Sequence, residues 1–356
     1  MAEVRRVLIT GIASQLAGLL ARALEQRDEV GAIIGVDVRE PTHDLRRTEF
    51  VRADVRNPLV ARVLETAGID TVVHLSTTAT PGAAGGRARM KELNVIGAMQ
   101  LLAACQRATG LRRFVLKSST AVYGSSHTDP AMWGEDDTPR SAPRHGFSKD
   151  TSEIEGYARA FGRRRRDVDL TILRFANLVG GRIDSAFHSL FTLPAAPTVL
   201  GYDPRLQFCH EEDAVEVLVR TTTGAHPGVF NVAGDGAMYL SQAARLAGRL
   251  PVAVPLPFVA GVAGLLRRTG RADVAPDQLR FLQHGRVVDN TRLKQAFPGL
   301  PRYTTREAFE DFLRRRRIHG MVDRDDVIRL EREVSDFLAR KGQERFLASP
   351  PGKEAR

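Results

Sequence analysis

The chain has 356 residues, of which 43% are hydrophobic and 26% charged, and only two are cysteines. That is enough for one large α/β unit or two domains with a sizeable core, and Cys105 and Cys209, far apart in apolar contexts, exclude a disulfide framework or a zinc site. A net charge of +10, dominated by arginine, admits a membrane surface or an anionic small substrate, whereas nucleic acid is disfavoured because no zinc-finger spacing or basic helix-turn-helix appears.

The first element is the short apolar run Val7-Leu8-Ile9, which reads as a buried strand. Gly11 follows it, and then Leu16, Leu19, Leu20 and Leu24 recur with helical spacing. Strand, glycine turn and helix make the first half of a dinucleotide-binding βαβ unit, whose backbone N–H groups and helix dipole face a pyrophosphate. Residues 32–37 form a second buried strand ending in Asp37. A carboxylate there accepts hydrogen bonds from the adenosine ribose hydroxyls and repels a 2′-phosphate, which favours NAD over NADP, although Arg39 two residues on opposes that preference.

Residues 49–55 read as a third strand carrying Asp54, residues 59–66 as a helix, and residues 71–75 as a fourth strand. His74 reads as a buried strand-end residue rather than a catalyst. A strong helix covers residues 89–107, apolar at Leu93, Ile96, Gly97, Leu101, Ala104 and Cys105 and broadened by Met99 and Leu102, so it is expected to be buried on two sides. Asn94 inside it is a poor helix residue and demands a reason. Residues 113–119 form a fifth strand, 154–161 complete a helix that ends in the solvated run Arg163 to Arg166, and 169–174 and 228–232 supply two more strands. No apolar leader precedes the first strand, and the longest apolar stretch, 252–266, is broken by Pro255 and Pro257, so a cytoplasmic location is expected.

The exit of the fifth strand, Ser118-Ser119-Thr120-Ala121-Val122-Tyr123-Gly124, resembles that of the NAD-dependent epimerase/dehydratase family of extended short-chain dehydrogenases, and most of all its atypical UDP-glucose 4-epimerase-like subgroup. Thr10-Gly11 with Ser14 and Ala17 resembles the family's Thr-Gly-x-x-Gly-x-x-Gly loop, with the second and third glycines replaced. The resemblance runs from Val4 to about Leu313. It implies a doubly wound parallel sheet (a Rossmann fold) over residues 1–180, rejoined by segments near 206–235, and a smaller substrate domain over 181–317; the tail from Ile318 departs from the family, and there Val327, Leu330, Val334 and Leu338 give residues 325–339 helical spacing ahead of a polar tail.

Carried over position by position, the resemblance implies cofactor contacts from Gly11, Ser14, Ala17, Asp37, Asp54, Val55, Leu75, Ser76, Asn94 and Lys149. It makes Ser119 the hydroxyl that bonds the reacting oxygen. His145-Gly146-Phe147-Ser148-Lys149 matches the family's Tyr-x-x-x-Lys, with Lys149 in place and His145 where the tyrosine belongs. A neutral imidazole accepts a proton, but its ring is shorter than a phenol. Asn177 matches a substrate-contacting asparagine, and Arg205 stands beside Leu206, which occupies the position of a diphosphate-clamping arginine. An NAD-dependent epimerase, dehydratase or reductase acting on a nucleotide sugar or polyol is therefore expected. A non-catalytic NAD-binding sensor or scaffold is the alternative, and a membrane-surface partner using residues 258–268 ranks last, since that segment also reads as a core helix. The resemblance further implies a homodimer built on helices 89–107 and 147–161.

Overall fold

The computed structural model describes residues 4–140, 142–184, 190–191, 193, 195–268 and 276–318, so the expected helix at 325–339 and the polar tail lie outside the described residues. Strands β1 (Arg5–Thr10), β2 (Val30–Asp37), β3 (Thr48–Arg52), β4 (Thr71–His74), β5 (Arg113–Ser119) and β6 (Asp169–Phe175) join a late strand in one parallel sheet. Their order is β3-β2-β1-β4-β5-β6, with the strand at Gly228–Val232 paired to β6 at the far edge. Both faces of the sheet are covered. The inner strands are therefore almost continuously apolar, and in β1 the four residues from Val7 to Thr10 are all buried.

Helix α1 (Gln15–Leu24) packs on one face over Val7, Ile9, Val73 and Val115. Helix α2 (Leu59–Thr66), helix α3 (residues 87–107) and helix α4 (Gly146–Arg164) cover the other, over Leu8, Val72, Phe114 and Ile172. The sheet winds outward in both directions from the β1–β4 boundary. There the carboxyl ends of the two strands open a crevice, the usual ligand position in such sheets.

The segment after β6 builds a second layer. Strand β7 (Asn177–Val179) pairs with β10 (Phe208–His210), β8 (Ala195–Val199) with β13 (Leu250–Val254), and β9 (Arg205–Leu206) with β12 (Met238–Tyr239). Between them helix α5 (Glu211–Thr223) returns to pack beside α1, and β11 (Gly228–Val232) is the late strand already placed at the sheet edge. A separate apolar cluster forms around Phe191, Phe208, Leu240, Phe309 and Phe312. Phe309 stacks on Phe208 with ring centroids 5.3 Å apart and takes Phe191 edge-on at 4.9 Å.

Four local expectations are corrected. The third strand stops at Arg52, which leaves Asp54 in a turn where its backbone oxygen accepts from Asn57 N–H. Residues 92–96 of α3 form one π turn, so that helix is not uniform. Arg165 is not simply solvated: its guanidinium donates to the Cys105 and Ala108 carbonyls at 2.9 and 3.0 Å, satisfying the carbonyl end of α3. Residues 256–268 do form a helix, but not a core one, because Leu256, Phe258 and Leu265 are exposed, Phe258 at 66%. His74 is buried as expected, and burial pushes the thiol of Cys105 up to about 12 and that of Cys209 well above its ordinary value.

Candidate active site

The crevice begins at Gly11. Its φ is +74°, and a Cβ placed there would lie 2.9 Å from Ser76 Cα and 3.0 Å from Ser76 N, so conformation and space both require glycine. Ser14 caps α1, its Oγ accepting from Ala17 N–H at 3.4 Å. Ala17 is wholly in the core, so its methyl serves helix–sheet packing rather than a ligand. At the tip of β2, Asp37 accepts from Ala13 N–H at 3.1 Å on one carboxylate oxygen and from Arg39 N–H at 3.0 Å on the other. Each oxygen keeps a lone pair. Asp54 is gripped by Arg56 through both oxygens, at 2.9 and 2.7 Å, and that grip holds its carboxyl below the usual range. Val55 and Leu75 are buried side chains, so only their backbone can face a ligand.

The loop after β4 is held from below. Asn94 is fully buried; its Oδ1 accepts from Thr78 N–H at 2.8 Å and its Nδ2 donates to the Thr78 carbonyl at 2.9 Å. The side chain thus imitates a backbone partner, which explains an asparagine inside a helix. Its two bonds to Thr78 hold the loop after β4. Nδ2 also reaches buried Asp150 at 3.3 Å, and Asp150 pairs with Arg87 through two contacts of 2.6 Å. Arg87 further donates to the Gly146 carbonyl at 3.2 Å, fixing the start of α4 against α3.

At the end of β5, Ser119 Oγ accepts from Ala121 N–H at 3.1 Å and caps a short 3₁₀ turn, Thr120–Tyr123. The hydroxyl proton of Ser119 is left to donate. Next to it, Ser118 donates to Glu155 at 2.6 Å, and Glu155 holds Arg174 through bonds of 2.9 and 2.7 Å. Arg174 then donates to Tyr123 Oη at 2.7 Å and to the Glu135 carbonyl at 3.0 Å. Tyr123 donates to Asn231 Oδ1 at 2.8 Å and stacks on Trp133, ring centroids 5.0 Å apart. Burial raises the Tyr123 phenol above its ordinary value against the pull of Arg174, and its bonds commit it to the network.

Helix α4 starts at Gly146, whose φ is +69°. His145 is therefore the exposed N-cap residue, extended at φ −144° and ψ 164°, with no side-chain capping bond. Lys149 lies within the first turn and pairs with Glu153 at 3.6 Å. Asn177 is half-buried on β7. Leu206 is fully buried, so no group there can clamp an anion, whereas Arg205 is exposed and donates to the Ala131 carbonyl at 2.6 Å.

Arg205 lines a cavity of about 290 Å³ with His127, Asp129, Trp133, His284 and Arg286. Arg286 donates to the Gly124 carbonyl at 2.8 Å, to Ser125 Oγ at 3.1 Å and to Thr120 Oγ1 at 3.4 Å, which ties the cavity to the turn after Ser119. Sequence reasoning missed Arg286, the Arg87–Asp150 pair and the Glu155–Arg174 pair. The available signal was charge in the wrong place: Arg174 in an apolar strand, and Asp150 and Glu155 on the face of α4 that carries Ile154 and Ala158.

A model of the NAD dependent epimerase/dehydratase family matches residues 7–233. An uncharacterized protein of Mycobacterium tuberculosis (strain H37Rv) is 44% identical over 321 residues, covering 89% of this chain and 85% of its own length. Among solved structures, a UDP-glucose 4-epimerase from Thermotoga maritima with UDP-glucose superposes with TM-score 0.67 at 17% identity, covering 88% of this chain and 98% of its own. A dTDP-glucose 4,6-dehydratase from Bacillus anthracis in complex with NAD superposes with TM-score 0.66 at 15% identity, covering 87% of this chain and 96% of its own.

Proposed function

We propose that this chain, which belongs to the NAD dependent epimerase/dehydratase family, is an NAD-dependent oxidoreductase acting on a nucleotide sugar or related polyol, with His145 at the family's tyrosine position. The observation that carries the reading is the crevice at the β1–β4 boundary, with Gly11 at one end and Ser119 at the other. Its residues fit a dinucleotide. The backbone around Gly11 is packed without a side chain, α1 turns its N-terminal end to the crevice, and Asp37 has lone pairs for ribose hydroxyls. NAD, when bound, supplies the group that accepts and returns hydride.

Ser119, its oxygen already accepting from Ala121, donates its proton to the reacting oxygen and so orients the substrate. The exposed His145, as a neutral imidazole, accepts the proton of a substrate hydroxyl and returns it. Lys149 adds positive charge one turn into α4. The substrate class is supported by the cavity with Arg205 and Arg286, cations suited to a diphosphate, and by the UDP-glucose complex of the Thermotoga maritima neighbour. Two observations favour the alternative, a protein that holds NAD without turning a substrate over: His145 lies outside α4, and buried Leu206 cannot clamp a diphosphate.

One set of hydride-transfer assays separates the two, following the absorbance of reduced nicotinamide with UDP-sugars and polyols. General acid–base catalysis contributes about 10²–10⁴-fold, so His145→Ala should lose a wild-type rate by that order while NAD binding is retained. If the wild type is silent and His145→Tyr gains activity, the site is a cofactor site lacking its proton relay. Silence in wild type, His145→Tyr and His145→Ala alike, with NAD bound, would overturn the enzyme reading.

A further inference from the structure

We propose that Lys117 is a cofactor-binding residue of this chain, its ammonium facing the dinucleotide diphosphate from the β4–β5 side of the crevice, across from the N-terminus of α1. The proposal rests on the NAD reading above and adds a contact to it.

Lys117 stands on β5 two residues before Ser119, so the two side chains leave the strand on the same face. His74 is paired with Leu116 in the ladder, which sets Lys117 level with Leu75. Yet Nζ donates to Thr77 Oγ1 at 3.1 Å, two residues beyond Leu75 in the loop that leaves β4. The side chain therefore runs along the strand toward the carboxyl end of the sheet, where the crevice opens. On one side of Thr77 is Ser76, whose backbone packs against Gly11; on the other is Thr78, which Asn94 holds through both of its backbone groups. The ammonium is thus placed by a fixed loop between the glycine turn and Ser119.

Its surroundings supply no counter-charge. Among the described residues no carboxylate pairs with Lys117, and its hydrogen-bond partner is a neutral hydroxyl. On β4 the fully buried His74, which shares the face of its ladder partner Leu116 rather than that of Lys117, has Nδ1 and Thr10 Oγ1 2.7 Å apart and, among the described residues, no partner for Nε2. Burial first, and the charge of Lys117 second, lower that imidazole to about 4, so it stays neutral. Burial also lowers the Lys117 ammonium, to about 8, which leaves it protonated at neutral pH.

A cation enclosed by protein without an anion is unfavourable unless something outside the chain completes it. The residue as a whole is half-buried. Asp37 stands at the tip of β2 and Asp54 is already held by Arg56, so the anion that Lys117 meets belongs between the glycine turn and Ser119. That is the place of a diphosphate.

Calorimetric titration of NAD, ADP-ribose and adenosine into the full-length protein tests this. A charge-assisted hydrogen bond corresponds to about 10- to 100-fold in affinity. Lys117→Met should weaken NAD and ADP-ribose by that factor and leave adenosine, which lacks the diphosphate, within about twofold. Lys117→Arg should recover part of the loss, and the melting temperature of Lys117→Met should not fall, since the substitution removes an unpaired charge and keeps the stem. If Lys117→Met does not fold, Lys117→Gln takes its place in the same titration. NAD binding by the wild type with equal affinity in the charge-removed variant would overturn the Lys117 proposal alone. Equal losses for adenosine and ADP-ribose would do the same and assign Lys117 to packing. No NAD binding by the wild type would overturn the cofactor reading itself.

Discussion

Glu155→Ala should destabilise the protein by about 3–5 kcal/mol, because it breaks a buried ion pair and leaves one charge behind. The Glu155 side chain is 4% exposed and that of Arg174 5%. One carboxylate oxygen accepts from Ser118 Oγ at 2.6 Å and Arg174 Nε at 2.9 Å; the other accepts from Arg174 Nη2 at 2.7 Å and Arg159 Nη2 at 3.3 Å. Without that carboxylate, Arg174 keeps only the neutral oxygens of Tyr123 and Glu135 among these partners, and the Ser118 hydroxyl loses its acceptor. Glu155→Gln preserves the shape and one acceptor oxygen, so it should lose about half as much. The double variant Glu155→Leu, Arg174→Met should be less destabilised than the sum of its single changes, since it strands no charge. Urea denaturation at one fixed protein concentration measures all of these. A Glu155→Ala loss below about 1 kcal/mol with an unchanged slope would refute the reasoning, as would strict additivity in the double variant.

The remaining expectations concern the cofactor, pH and assembly. NAD should bind more tightly than NADP, and Asp37→Asn should narrow the gap about tenfold or more, as read by calorimetry; equal or tighter NADP binding by the wild type would mean that Arg39 dominates. His74 is lowered to about 4 by burial, against 6.5 in the unfolded chain, so the unfolded state binds the extra proton between those values. Its contribution, about 3 kcal/mol, is complete above pH 6.5 and lost as pH falls toward 4; His74→Gln should flatten that part of a stability–pH curve, and an unchanged curve would contradict it. Most of the apolar face of α3 is used inside the chain, but Met99 and Ala103 stay exposed beside half-buried Ile96, and Tyr157 is exposed on α4. A two-fold dimer should use that stripe, so Met99→Glu should shift light scattering from dimer to monomer; a wild-type monomer at micromolar concentration would refute it.

The apolar runs and their spacing were sufficient to locate the six leading strands and the helices that cover them, because those signals repeat within one strand or one helical turn, whereas the strand order that opens the crevice between β1 and β4 came from the fold. Gly11 and Asp37 stood out for the same reason, each being the residue at which a periodic segment ends, whereas Ser119 was singled out by the resemblance of its strand exit to the family's. What the periodicity could not supply is partnership across the chain. Nothing near Ser118 in sequence announces Glu155, 37 residues on, and nothing near Gly124 announces Arg286, 162 residues on. Asn94 stood out as a poor helix residue, the resemblance implied that it helps position the active-site loops, and folding supplied Thr78 as its partner. Composition also misjudged residues 256–268, which read as a core helix but leave Leu256, Phe258 and Leu265 exposed. Burial and pairing of charge depend on which segments meet, and that is fixed only when the sheet and both helical layers close.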